Sequence, residues 1–170
     1  RYSNFTKFVE QNPAVLPAES FFRRKNRHNA IGSGDRRDMT ALQTPIRFVL
    51  IGCGRIARVH VERLRADGRG EIAAVMDLDR TAAEKARDEF APRAAAFDDL
   101  ETMLAETPCD AAVICTPTHL HYEQTLACLE RGLHVLCEKP LADSRERIVE
   151  LIDRSGQTGG QLAVAYQRRH

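Results

Sequence analysis

Residues 48–60 read FVLIGCGRIARVH. Four apolar residues run without a break into Gly52, Cys53 and Gly54. From Arg55 the spacing changes, and Ile56, Val59 and Leu64 fall on one helical face. A continuous apolar run marks a strand buried on both sides, and the longer period marks a helix. Two glycines at the junction need a reason. Either the chain makes a bare tight turn, or something comes very close to its backbone.

The same alternation continues outward. The spacing predicts strands over 46–51, 71–77, 94–97, 110–115, 134–137 and 161–166. It predicts helices over 55–66, 81–90, 99–105, 119–131 and 144–155. The punctuation agrees: Gly68 and Gly70 separate a helix from a strand, and Gly132 and the pair Gly159-Gly160 follow helices. Asp98 with Glu101, and Asp143 with Glu146, read as N-caps with a carboxylate three residues on. Strand–helix alternation with runs such as AAVIC predicts an α/β fold: a doubly wound parallel sheet of Rossmann type, in the order 3-2-1-4-5-6. Such sheets bind ligands outside the carboxyl ends of their strands, where the order reverses.

The chain has 170 residues, 43% apolar and 29% charged, which suits one globular domain and excludes a membrane-spanning or disordered class. The five cysteines form no C-x-x-C pair and lie mostly in strand-like runs, so they read as reduced, buried residues of a cytoplasmic protein. Net charge is +1, but residues 1–38 carry eight Lys and Arg against four Asp and Glu. The basic cluster RRKNRH at 23–28 lacks periodicity, and a solvated arm is expected there rather than a nucleic-acid contact. Residues 1–45 are expected to be a disordered or non-native extension, with Met39 a natural start before the first strand. No membrane or metal partner is expected, because the pair His119/His121 lacks a third ligand.

GCGRIA fits G-x-G-x-x-A. Gly52 permits the turn out of the strand, Gly54 lets a pyrophosphate approach the backbone, and Ala57 lets helix and strand pack closely. The free N–H groups at Arg55 and Ile56 then favour an anion. Asp77 ends the second strand, where a carboxylate accepts the hydroxyls of an adenosine ribose and repels a 2′-phosphate. The cofactor preference is therefore NAD, with NADP left open because Arg80 could hold a 2′-phosphate. A cap is the alternative role for Asp77, and Asp79 is a cap candidate too.

Two later loops follow strands. CTPTHLHYE (115–123) places Thr116, Pro117, Leu120 and His121 at the reversal of strand order, with Thr118 as an ordinary cap in the structural alternative. CEKPLA (137–142) puts charged residues straight after an apolar strand. Glu138 and Lys139 are either a solvated ion pair or a functional pair, with Glu138 on a ribose hydroxyl and Lys139 beside the reacting carbon, able to move a proton.

Together GCGRIA, VMDLD, CTPTHLH, EKP and AYQRRH resemble, in order, the glucose-fructose oxidoreductase / inositol dehydrogenase / rhizopine-catabolism (Gfo/Idh/MocA) family over about 46–170. The resemblance implies an NAD(P)-dependent oxidoreductase acting on a sugar, inositol or related polyol. By position it implies that Gly52, Gly54, Arg55 and Ile56 hold the pyrophosphate, and Asp77 the ribose. Thr116, Pro117, Leu120 and His121 would line the cofactor, with Glu138 on the nicotinamide ribose and Lys139 as the catalytic lysine. Gln167 and Arg168 would complete the cofactor side where the chain crosses towards substrate. Residues 46–166 are thus expected to be the cofactor domain, and 167–170 the start of a crossover. The family's second α/β domain, with its D-x-x-x-H acid/base histidine, would follow. The expectation is the cofactor half of an enzyme, inactive as this piece and homo-oligomeric at full length. A non-catalytic NAD-sensing regulator and an NAD-dependent glycosidase are the alternatives; retention of Lys139 favours an enzyme over a sensor.

Overall fold

The computed structural model of the chain describes residues 15–17 and 45–165. Its strands are β1 (Val15–Pro17), β2 (Ile46–Ile51), β3 (Gly70–Met76), β4 (Ala95–Phe97), β5 (Ala111–Ile114), β6 (His134–Glu138) and β7 (Leu162–Ala165). Its helices are α1 (Arg55–Asp67), α2 (Arg80–Phe90), α3 (Leu100–Glu106), α4 (Thr118–Glu130) and α5 (Arg145–Thr158). The strands make one parallel sheet, ordered β4-β3-β2-β5-β6-β7-β1. Without β1 this is the doubly wound order expected from the sequence.

The side-chain alternation of the strands divides the core in two. Val49, Ile51, Ala112, Ile114, Val135 and Cys137 face one way, against Met103, Leu129 and Leu151 of α3, α4 and α5. Phe48, Leu50, Val113 and Leu136 face the other way, against Val61 of α1 and Phe90 of α2. The sheet is covered on both faces, which is why its central strands are apolar at every position. The register Phe48↔Ala111 to Ile51↔Ile114 sets β2 and β5 side by side, so their carboxyl ends open together.

Three local expectations change. The caps of α3 and α5 are Asp99 and Ser144, one residue later than Asp98 and Asp143. Thr118 does not cap α4; the N-cap is Pro117, which has no side-chain hydrogen bond to give. Within the segment expected to be disordered or non-native, Val15–Pro17 forms an edge strand on β7, in the register Val15↔Leu162 to Pro17↔Val164. A three-residue strand held by an edge carries no periodicity for sequence reading to detect. Among the described residues, no helix is long and apolar enough to cross a membrane.

Candidate cofactor site

The two glycines of the opening stretch differ. Gly52 has φ +87°, and a Cβ there would come within 2.8 Å of the Thr116 amide nitrogen. Glycine is needed at 52 by the fold itself, where the loop after β2 lies against the loop after β5. Gly54 has φ −71°, open to any residue. A Cβ at 54 would meet no atom within 4 Å. Nothing inside the protein demands glycine there, and the space its missing side chain leaves lies at the start of α1.

That helix start is also uncapped. Asp79, Asp99 and Ser144 cap α2, α3 and α5 through their side chains. No side chain caps α1 or α4. These two follow β2 and β5, the strands that flank the reversal of sheet order. Their first-turn N–H groups and positive dipole ends are left to face an anion. Arg55 is exposed beside them, and Ile56 is half-buried.

Asp77 joins the glycine loop to the end of β3. One carboxylate oxygen accepts the Cys53 N–H at 2.9 Å, and the other accepts the Asp79 N–H at 3.1 Å. Asp79 in turn accepts the Thr81 N–H as the cap of α2. Cys53 is not a reactive thiol: burial, and then the Asp77 charge, push its pKa up to about 12. Arg80 is drawn to carboxylates: its Nε donates to Glu84 at 3.1 Å, and its Nη1 forms an ion pair with Asp98 at 3.9 Å.

The loop after β6 is held from both sides. Glu138 is 9% exposed, and its Oε1 meets His60 Nε2 at 2.8 Å. The Lys139 N–H donates to Glu138 Oε2 at 3.3 Å. Burial alone pushes the Glu138 carboxyl up. The His60 hydrogen bond and charge, with the Lys139 amide and ammonium, outweigh burial and hold it below its ordinary value. On the other side, His121 is 1% exposed, with Nδ1 at 2.7 Å from the Pro140 carbonyl and Nε2 at 2.7 Å from the Thr116 carbonyl. Both neighbours are backbone carbonyl oxygens, which only accept. The Thr116 hydroxyl donates to Gln124. Lys139 itself is exposed at the tip.

The structure therefore brings the glycine loop, Asp77, the Thr116 loop and Lys139 to one edge of the sheet. Glu138 and His121 stand at the same edge, and their polar atoms also make hydrogen bonds within the protein. His119 is exposed while His121 is buried. Pro117 is exposed and Leu120 half-buried. Gln167 and Arg168 lie outside the described residues. Sequence reading missed His60. Its signal was a histidine among Ala57, Val61 and Leu64 on the buried face of α1, but its partner is 78 residues away.

A dinucleotide fits these groups: open space at Gly54, an uncapped helix start on either side of the strand reversal, and a carboxylate at the end of β3. Comparison with known proteins agrees. The family profile described as an oxidoreductase family with NAD-binding Rossmann fold matches residues 46–166. D-glucoside 3-dehydrogenase of Escherichia coli is 34% identical over 127 residues, 74% of this chain and 36% of that protein. Inositol 2-dehydrogenase of Arthrobacter is 36% identical over 128 residues, 73% of this chain and 37% of that protein. The WlbA dehydrogenase of Chromobacterium violaceum, solved with NADH and UDP-GlcNAcA, superposes with a TM-score of 0.68 at 35% identity, covering 73% of this chain and 36% of that one. The chain thus spans little more than a third of the length of these relatives. It belongs to the Gfo/Idh/MocA oxidoreductase family, and its doubly wound sheet is that family's NAD-binding Rossmann domain.

Proposed function

We propose that this chain is the cofactor-binding part of a dehydrogenase that moves hydride between a nicotinamide and a sugar, inositol or related polyol. The observation that carries the reading is Gly54: a glycine that neither backbone nor packing requires, at an uncapped helix start. The names of its relatives support the substrate class.

In this reading Gly52, Gly54, Arg55 and Ile56 bind the pyrophosphate, and Asp77 orients the adenosine ribose. Thr116, Pro117, Leu120 and His121 shape the wall beside the nicotinamide, His121 by fixing the loop from within. Glu138 sets the ribose side of the same wall. Gln167 and Arg168 extend it towards substrate. NAD is preferred to NADP, because Arg80 is engaged by Glu84 and Asp98 while Asp77 and Asp79 repel a 2′-phosphate. The bound nicotinamide supplies the hydride acceptor. Lys139 exchanges the hydroxyl proton of the polyol, alone or with an acid/base group from sequence beyond this chain. The full-length protein works as a cytoplasmic homo-oligomer; this piece binds cofactor without turning over substrate.

The test follows NADH absorbance in the full-length protein with myo-inositol, scyllo-inositol and D-glucosides. Lys139→Ala should lower turnover about 10²–10⁴-fold, with NADH affinity retained. An active Lys139→Ala protein would remove Lys139 from the mechanism. No NADH binding by the folded wild type would overturn the cofactor reading.

A further inference from the structure

We propose that His60 is a positioning residue for Lys139, acting through the buried carboxylate of Glu138. The inference rests on the reading of Lys139 as the residue that moves the substrate proton.

His60 belongs to α1, the helix whose start faces the cofactor site. It is 6% exposed, among apolar neighbours. A histidine in such a place is kept when its polar edge has a partner. Here that partner is Glu138 Oε1 at 2.8 Å, at the last residue of β6. The second oxygen of the same carboxylate accepts the Lys139 N–H. The chain of contacts His60–Glu138–Lys139 therefore fixes the backbone from which the lysine side chain departs. Beyond Lys139, the next residue is fixed as well, because the Pro140 carbonyl meets His121. The turn is held at both ends, and Lys139 projects from between the two holds.

Two consequences follow. Releasing the His60 end frees the turn, and His60 itself touches neither cofactor nor substrate. The loss should then appear in the chemical step, since a small misplacement of an acid/base group costs rate more than affinity. Glutamine places an amide N–H close to the position of His60 Nε2 and can still reach Glu138. Asparagine is shorter by one methylene and cannot. The pair His60→Gln and His60→Asn offers the same chemical group at two reaches, and both leave a polar residue to solvate the site if the packing loosens.

The experiment has two readouts on each variant. The first, on the protein without cofactor, is amide hydrogen exchange of residues 136–142 compared with α1 and β2. His60→Asn should speed exchange at Lys139 about tenfold, the effect of losing one hydrogen bond's support, with α1 and β2 within twofold of wild type. His60→Gln should stay within about threefold. The second, in the full-length protein on the same polyol panel, is kcat against KM. His60→Asn should lower kcat about 10–100-fold, as for other residues that orient a reacting group, with the NADH dissociation constant within about twofold. Adding Lys139→Ala to His60→Asn should cost no more than Lys139→Ala alone. Unchanged exchange at Lys139 in His60→Asn, or exchange raised equally through α1 and β2, would overturn the inference and leave His60 as support for the core. Full activity of Lys139→Ala would overturn the reading of Lys139 instead, while the exchange result would still decide whether His60 holds the turn.

Discussion

The Asp77 carboxylate accepts the N–H of Cys53, 24 residues earlier, at 2.9 Å, and so ties the middle of the glycine loop to the end of β3. Its other oxygen takes the Asp79 N–H. One side chain thus builds the loop and also offers the charge that a ribose would meet.

Asp77→Ala should therefore act twice. Two backbone N–H groups lose their acceptor at a half-buried position, costing about 1–2 kcal/mol, which thermal melting would register. NADH affinity should fall, and the gap between NADH and NADPH should narrow, as read by fluorescence titration. A wild type that already prefers NADPH would refute this role for Asp77 and turn attention to Arg80.

The two loop glycines should respond oppositely to alanine. Gly52→Ala meets a positive φ and a contact of 2.8 Å with the Thr116 amide, so about 2–5 kcal/mol of stability should be lost. Gly54→Ala should melt like the wild type, because its backbone is ordinary and its Cβ meets nothing. Its NADH affinity should nonetheless fall about tenfold or more, equivalent to roughly 1.4 kcal/mol. Unimpaired NADH binding by Gly54→Ala would leave the glycine without the ligand we assign to it.

Glu138 gives the acid side of the stability curve. Its folded carboxyl is held below the ordinary glutamate value of 4.5. Below that value the unfolded chain takes up a proton that the folded protein refuses, so stability is present above pH 4.5 and is lost as pH falls through the folded value. Glu138→Gln should flatten this acid slope, which chemical denaturation at a series of pH values measures.

A chain beginning at Met39 tests β1. Sequence reasoning expects residues 1–38 to be dispensable, yet Val15–Pro17 pairs with β7. Each hydrogen bond of this short strand contributes about 0.5–1.5 kcal/mol net, and ordering each residue costs about 1–2 kcal/mol. The two nearly cancel, so the melting temperature should move by less than about 4 °C. The larger effect should be on association, because removing β1 bares the edge of β7. Size-exclusion chromatography over a range of concentrations should show the shortened chain forming dimers or larger species where the whole chain does not.

Strands and helices were legible because the sheet is covered on both faces. Every central strand had to be apolar throughout, and every helix had to keep one apolar stripe. The positions of the glycine loop and of Asp77 were legible because each lies next to a strand end in the sequence. The caps of α3 and α5 were each misplaced by one residue, since Asp98 and Asp99, like Asp143 and Ser144, are adjacent and equally able to cap. His60 was illegible for another reason: a buried histidine declares its role only through its partner, and Glu138 lies on the far side of three strand–helix units. The same holds for His121, whose neighbours are carbonyl oxygens that any residue type could supply.

The adjacency of β2 and β5 bears on how this chain reaches its native state. Leu50 pairs with Val113 although 63 residues separate them, whereas β2–β3, β5–β6 and β6–β7 join strands linked by a single crossover. Closing that long loop is the slow, entropically expensive step. Folding kinetics should accordingly resolve two locally assembled halves, 46–97 and 111–165, that meet last along one seam. The crevice for the cofactor lies at the top of that seam, so NAD arriving there would bind across the junction and act as a clasp on the unit that is last to close.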